Sequence, residues 1–343
     1  MSQISTIAPV RSRAWHLVRR PQGVPVPEDF ALREVRLPEL RPGQLLVRNQ
    51  FFSVDPYMRR RMDGRATYVA PFGLDEPMDG RAVGIVRESR DDRFAVGDHV
   101  THSLGWRDYA LVDAAAATPI DAQAAPLSAH LGLLGNSGLT AYAGLSRIAR
   151  LRGGETVFVS GAAGAVGSAA GQIAKLLGAG RVIGSTGSAR KARLLVEDFG
   201  FDSALDYRAR PIADQLREAA PDGIDVYFDN VGGDHLEAAL AGLRVHGRAI
   251  LCGMIGQYNA TTVANGPANL IQAIDKRLEL TGILVADHGD LAPEFVERAG
   301  RWLAEGRIRR PETIAEGLQN GAEAFLALLR GDNIGKMIVR VTG

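Results

Sequence analysis

The feature that most restricts how this chain can fold is the run Thr156-Val157-Phe158-Val159-Ser160-Gly161-Ala162-Ala163-Gly164-Ala165-Val166-Gly167. An apolar, β-branched stretch enters a turn of small residues, and a helical pattern opens directly behind it. Val166, Ala170, Ile173 and Leu177 share one helix face, and Gly178 is placed to end that helix. Small residues let backbone N–H groups approach a pyrophosphate, while the helix N-terminus adds partial positive charge. The dinucleotide fingerprint is G-x-G-x-x-G. Here Ala162 holds its first position, and the match reads A-x-G-x-x-G.

The surroundings of that run predict an α/β fold. Apolar strand candidates are Thr156–Ser160, Arg181–Ser185, Ser203–Asp206, Ile224–Asp229, Arg248–Cys252 and Leu278–Val285, with helix-length segments such as Val166–Leu177 and Arg190–Phe199 between most of them. Six strands with crossover helices make a doubly wound parallel sheet. Before residue 125 the texture differs. Short β-like pieces (Gln44–Val54, Arg81–Arg87, Asp98–His102, Tyr109–Val112) are separated by turns such as Arg41-Pro42-Gly43 and Val96-Gly97-Asp98. We therefore expect a β-rich domain over 1–125, a dinucleotide-binding domain over 126–309, and a tail over 310–343 that returns to the first domain through Lys336–Val341. With 343 residues the chain is long enough for two cores.

Which dinucleotide follows from a missing residue. An NAD site wants an acidic side chain about twenty residues past the glycines, to bond the ribose 2′-hydroxyl. Between Arg181 and Arg193 there is none, and Arg190-Lys191 stand where a 2′-phosphate would fall. The alternative is a solvated helix start with ordinary surface cations. The absent acid favours NADPH.

Other classes are set aside on composition. Forty basic and 39 acidic side chains leave a net charge of +1, without the basic stripe that nucleic acid or a membrane surface would need. No uninterrupted apolar stretch reaches eighteen residues, and Met1–Arg13 lacks the apolar core of a secretory leader, so the expected address is the cytoplasm. A single cysteine, Cys252, forbids an internal disulfide and argues against a thiolate metal site. Zinc alcohol dehydrogenases carry Gly-His-Glu where this chain has Gly80-Arg81-Ala82. Its seven histidines form no ligand-spaced cluster, so no metal is expected.

Over nearly its whole length the chain resembles the zinc-independent medium-chain dehydrogenase/reductases of the prostaglandin reductase and curcumin reductase group. The residues that carry the resemblance are Arg20–Phe30, Val54-Asp55-Pro56-Tyr57-Met58-Arg59, Gly138-Leu139-Thr140-Ala141-Tyr142, Ala162–Ser168, Phe228–Gly233, Cys252-Gly253, Tyr258-Asn259 and Gly331–Lys336. The resemblance implies a chaperonin-10-like β-barrel catalytic domain, built from both chain ends, beside a Rossmann domain. It implies that Ala165, Val166, Gly167 and Ser168 cradle the pyrophosphate and that Lys191 and Tyr207 meet the 2′-phosphate. Asn230, the segment from Cys252 and Gly253 to Tyr258, then Ile283, Leu284, Val285 and Asn333 would line the remaining cofactor. It also implies a homodimer joined through Rossmann sheet edges. One departure is Asn136-Ser137, where relatives commonly carry Met-Pro, which makes a wall near the nicotinamide more polar.

The implied reaction is hydride transfer from NADPH to the β-carbon of an α,β-unsaturated ketone or aldehyde, with a donor stabilising the enolate oxygen. Tyr258 is the candidate donor, although a tyrosine in a Gly-Gln-Tyr-Asn loop can equally be surface packing. Tyr57, Trp106 and Tyr109 are candidate substrate walls, or core. Cys252 reads as a small side chain beside the cofactor rather than a nucleophile, and Asp229 as either a turn cap or a ribose ligand. Two other functions stay open: quinone reduction on the same fold, and a non-catalytic NADPH-binding role.

Overall fold

The structure, a computed structural model, describes residues 10–262 and 265–341, so most of the leader reading over Met1–Arg13 lies outside the described residues. The chain divides into two compact units. One comprises Met1–Leu131, Ile314–Arg330 and Ile338–Gly343, and the other Gly132–Thr313 and Gly331–Met337. The segment after 309 is thus shared: Ile314–Arg330 joins the first unit, whereas Gly331–Met337 stays with the second.

The second unit is built on six parallel strands: β1 (Thr156–Val159), β2 (Arg181–Thr186), β3 (Ser203–Asp206), β4 (Ile224–Asp229), β5 (Leu243–Leu251) and β6 (Glu279–Gly282), in spatial order β3-β2-β1-β4-β5-β6. This is the doubly wound order whose direction reverses between β1 and β4, where a dinucleotide crevice opens at the strands' carboxyl ends. The strands read as apolar runs because helices cover both faces. Phe158 and Tyr227 stack on neighbouring strands with ring centroids 5.2 Å apart, inside a core that includes Ile183, Leu216, Leu240 and Ala249. Helix α1 (Ala165–Leu176) follows β1, and α2 (Ala189–Glu197) follows β2. Gly178 adopts φ +97° just beyond α1, the left-handed stop that its position suggests. A Cβ at Gly171 would lie 1.9 Å from Phe201, so this glycine lets α1 pack close to that ring.

In the first unit, Arg11–Leu17 and Phe30–Arg36 form an antiparallel pair. A larger, antiparallel-rich sheet centres on Gln44–Ser53, flanked by Ala82–Ser89 and Tyr109–Asp113 and extended by His99–His102 and Thr118–Ile120. The returning tail pairs with it, Ile338 opposite Ser53. Leu45, Val47, Val86, Val100 and Val112 fill its interior. A second knot is aromatic: Trp106 is fully buried, with its centroid 5.2 Å from Phe52 and 6.3 Å from Phe325.

Candidate functional site

The glycine turn holds its shape through Gly161, at φ +59°, one residue before the expected first fingerprint position. Ala162 is fully buried, and a Cβ at Gly184 would lie 2.8 Å from its methyl group, so the Ala162 side chain fills the gap between β1 and β2. The departure from the G-x-G-x-x-G pattern is therefore packing. Gly167 does need to be glycine: a Cβ there would fall 2.3 Å from the Gly161 carbonyl. Gly164, the N-cap of α1, places no side chain over the helix end, and a Cβ there would meet nothing closer than 3.3 Å. The opening of α1, from Ala165 through Val166, thus presents backbone N–H groups without a side-chain cap, which is the donor set a pyrophosphate needs. Ser168 is buried and donates its hydroxyl to the Ala165 carbonyl at 3.3 Å.

The segment Gly331–Gly335 packs onto this turn. The Gly335 N–H donates to Ala163 at 2.7 Å, and a Cβ at Gly335, itself at φ +65°, would lie 1.9 Å from Pro311 O. Buried Asn333 donates its amide to the Gly335 carbonyl at 2.7 Å. Lys191, on α2, donates its ammonium to the Gly331 carbonyl. Burial holds the Lys191 ammonium below the usual lysine range; Asp332 opposes that shift, and Arg208 and Arg190 reinforce it. Tyr207 packs edge-on against His235 at 5.1 Å, and a Cβ at Gly187 would lie 2.7 Å from the Tyr207 hydroxyl and 3.2 Å from Arg208 Nε. Three cations and a phenol therefore meet where β2 ends. Arg208 was missed by the sequence reading, although its adjacency to Tyr207 was the available clue.

Across the switch point, Asp229 organises the facing loop. One carboxylate oxygen accepts from Tyr227 Oη at 2.7 Å, from Ser160 Oγ at 3.1 Å and from the N–H groups of Val231 and Gly232 at 2.9 Å each. Of the two roles open to it, the structure displays the turn cap. Asn230 donates its side-chain amide to the Ser160 carbonyl at 2.7 Å. The Asp229 carbonyl receives the N–H groups of Cys252 and Gly253 at 2.9 and 3.0 Å, which starts the loop to Tyr258. Burial, with Asp229 nearby, pushes the Cys252 thiol up to about 12, the opposite of an activated nucleophile. Half-buried Tyr258 ends a short 3₁₀ turn (Ile255–Gln257), and its oxygen accepts the Met254 N–H at 3.4 Å. Ile283 donates its N–H to Leu251 O at 3.1 Å, which carries Leu284 and Val285 to the same sheet end. Asn136 is exposed and Ser137 buried, both in the first turn of Asn136–Ala143.

In the first unit the three aromatic candidates separate. Of the two readings open for Trp106, wall or core, the structure displays the core: it has no exposure, at φ +60°, and belongs to the aromatic cluster. Tyr109 is half-buried on its strand, its backbone tied to Ser12. Tyr57 is half-buried, and burial, followed by the charge of Asp55, holds its phenol protonated well above the ordinary tyrosine range. Arg59 of the same motif is structural, donating to the Gly23 carbonyl at 2.9 and 3.2 Å and pairing with Asp63. Among the described residues, no group of three histidine, cysteine or acidic side chains is arranged to hold a metal ion, and no helix is long and apolar enough to cross a membrane.

Comparison with known proteins places these elements in context. Residues 13–120 match the model described as the N-terminal domain of oxidoreductase, and residues 165–303 match that described as zinc-binding dehydrogenase. The NADPH-dependent curcumin reductase of Escherichia coli (strain K12) is 40% identical over 338 residues, covering 97% of this chain and 98% of that one. The NADP(+)-dependent 2-alkenal reductase of Nicotiana tabacum is 39% identical over 331 residues, covering 93% and 94%. The crystal structure of CurA from Vibrio vulnificus in complex with NADPH superimposes with a TM-score of 0.92 at 39% identity, covering 96% of this chain and 99% of that one.

Proposed function

The chain belongs to the medium-chain dehydrogenase/reductase family as an NADP-dependent reductase of the curcumin and alkenal reductase type, and from that premise we propose that it reduces the carbon–carbon double bond of α,β-unsaturated ketones or aldehydes. The observation that carries this reading is Tyr258. It is a half-buried phenol at the end of the loop that starts from the Asp229 carbonyl, with its oxygen 3.4 Å from the Met254 N–H.

When bound, NADPH supplies the hydride that ends on the substrate's β-carbon. The residues that would hold it are the uncapped opening of α1 for the pyrophosphate, Lys191 with Tyr207 for the 2′-phosphate, and Asn230 and Asn333 for the rest of the cofactor. As the β-carbon gains its hydrogen, negative charge grows on the carbonyl oxygen. A phenol O–H directed at that oxygen lowers the barrier, because the charge it meets is largest in the transition state. The Met254 N–H lies 3.4 Å from the Tyr258 oxygen, a weak contact on the acceptor side of the phenol. On this reading the α-carbon takes its proton from solvent. In the first unit, half-buried Tyr57 keeps its phenol protonated at physiological pH.

The test is Tyr258→Phe. It should lower kcat for an enone by about 10- to 1,000-fold, the range for losing one donor to a developing oxyanion, while the NADPH Kd stays within twofold. The product should be the saturated carbonyl compound. An allylic alcohol from an enone, or wild-type turnover in the phenylalanine variant, defeats the proposal.

A further inference from the structure

Exposed arginines of the second unit commonly lie against an acid. Arg147 pairs with Asp290 at 2.7 Å, Arg210 with Glu218 and Arg217 with Asp214 at 2.6 Å each, and Arg244 with Asp225 at 3.0 Å. Arg190 and Arg208 are exposed too, but neither guanidinium has a hydrogen bond or an ion pair among the described residues. The acid closest to Arg208 in sequence is used otherwise: Asp206 accepts the Arg208 backbone N–H at 3.0 Å. Arg190 has no acid at hand, since none occurs between Arg181 and Arg193.

These two guanidiniums flank one place. Arg208 Nε would lie 3.2 Å from a Cβ on Gly187, the residue before the Ser188 N-cap of α2, and Arg190 stands in the first turn of that helix beside Lys191. The Lys191 ammonium, lowered first by burial, is lowered further by the charges of Arg208 and Arg190, with Asp332 opposing them. The first turn of α2 holds no acid. Cations there work against the partial positive charge of the helix end, so helix stability would favour the opposite residues. The cluster therefore costs stability, and its positive charge is left open to solvent at the carboxyl end of β2.

We propose that Arg190 and Arg208 steer NADPH by its 2′-phosphate in the encounter, before Lys191 holds that group, so that part of the preference for NADPH over NADH arises in the association rate. The proposal rests on the reading of Lys191 and the β2 end as the 2′-phosphate site. A phosphate monoester carries about 1.5 to 2 negative charges near neutral pH, which NADH does not bring to this strand end. Fixed charges of one sign at a site raise association rates by about 10- to 1,000-fold, and salt removes the gain. A hydrogen-bonded contact acts differently, since it chiefly slows dissociation. Lys191, with its ammonium already ordered on the Gly331 carbonyl, is of that second kind.

The experiment is stopped-flow binding of NADPH and of NADH, followed by cofactor fluorescence, to the full chain as wild type and as the double variant R190Q/R208Q, at low and at high salt. Both side chains are exposed, so the variant should keep the wild-type thermal midpoint within about 2 °C. At low salt its NADPH association rate should fall about tenfold while dissociation changes less than about twofold, and NADH association should fall less than about threefold. At about 1 M salt, where the screening length is about 3 Å, variant and wild type should converge. An unchanged NADPH association rate at low salt overturns the proposal. So does a loss carried by faster dissociation, which would make the two arginines contacts, or an equal fall for both cofactors, which would assign the pull to their common pyrophosphate. K191A, measured alongside, should act mainly through faster NADPH dissociation. If K191A weakens NADPH and R190Q/R208Q changes nothing, steering fails and the 2′-phosphate site stands; if K191A leaves NADPH unaffected, the site reading itself fails.

Discussion

Removing the Lys191 ammonium should separate the two nicotinamide cofactors. In Lys191→Ala the 2′-phosphate loses one charge-assisted hydrogen bond, a contact of about 1.5–3 kcal/mol, or about 10- to 150-fold in affinity. The structure moves the expectation toward the lower end. In the free protein this ammonium already donates to the Gly331 carbonyl, so binding exchanges one acceptor for another instead of adding a bond. Arg190 and Arg208 also keep positive charge at the same strand end. We therefore expect the NADPH Kd to rise by about 10- to 30-fold, with kcat nearly unchanged because the phosphate is remote from the chemistry. The NADH Kd should move less than twofold. There is a pH counterpart. Burial lowers the Lys191 pKa, and a bound phosphate favours the charged form, so NADPH affinity should fall at alkaline pH before an ordinary lysine would titrate. Fluorescence titration with both cofactors from pH 7 to 10 checks both points. Equal losses for NADPH and NADH, or equal wild-type affinity for the two, would refute the argument.

Three further expectations follow from burial and exposure. Burial, reinforced by Arg107 and Arg81, depresses the His102 pKa to about 3, so the unfolded chain binds more protons between about 6.5 and about 3, and stability should be lost as pH falls through that window. The slope should reach about 1.4 kcal/mol per pH unit in urea titrations, and His102→Asn, which keeps an acceptor for the Leu104 N–H, should flatten it. Cys252, with its thiol pushed up to about 12, should react with a maleimide at pH 7 much more slowly in the native protein than after denaturation, and rapid native labelling would contradict its placement. The edge strand β6 and the exposed Leu270, Ile271 and Ile274 beside it offer an apolar, hydrogen-bonding border, so light scattering should return about twice the 36.7 kDa chain mass; a monomer at micromolar concentration would count against it.

Much of the second unit was legible in the residues alone, because its causes are local. A β-branched run, small residues in a turn and an amphipathic helix define β1, Gly161–Gly164 and α1 without reference to the rest of the chain. The strand limits Ser203–Asp206 and Ile224–Asp229 agree with the structure residue for residue. The missing acid before Arg193 pointed to NADPH for an equally local reason, since one side chain at one place selects the ribose substituent. The first strand pair, Arg11–Leu17 with Phe30–Arg36, was not anticipated, because strands so rich in charge show weak alternation.

Only the tertiary structure could decide what depends on distant parts of the chain meeting. That Ala162 substitutes for a glycine is explained by Gly184 and not by any neighbour in sequence. Trp106 is core because Phe52 and Phe325 close around it, although its motif gave wall and core equal standing. Asn333 and Gly335 reach the glycine turn from more than 160 residues away, and Lys191 is tied to Gly331 across 140. Residue patterns report what a side chain is and the period on which it recurs, which is enough to choose between strand, helix and turn. Whether a donor ends up satisfied, a ring buried or a charge compensated depends on which surfaces packing brings together, and folding alone supplies that information.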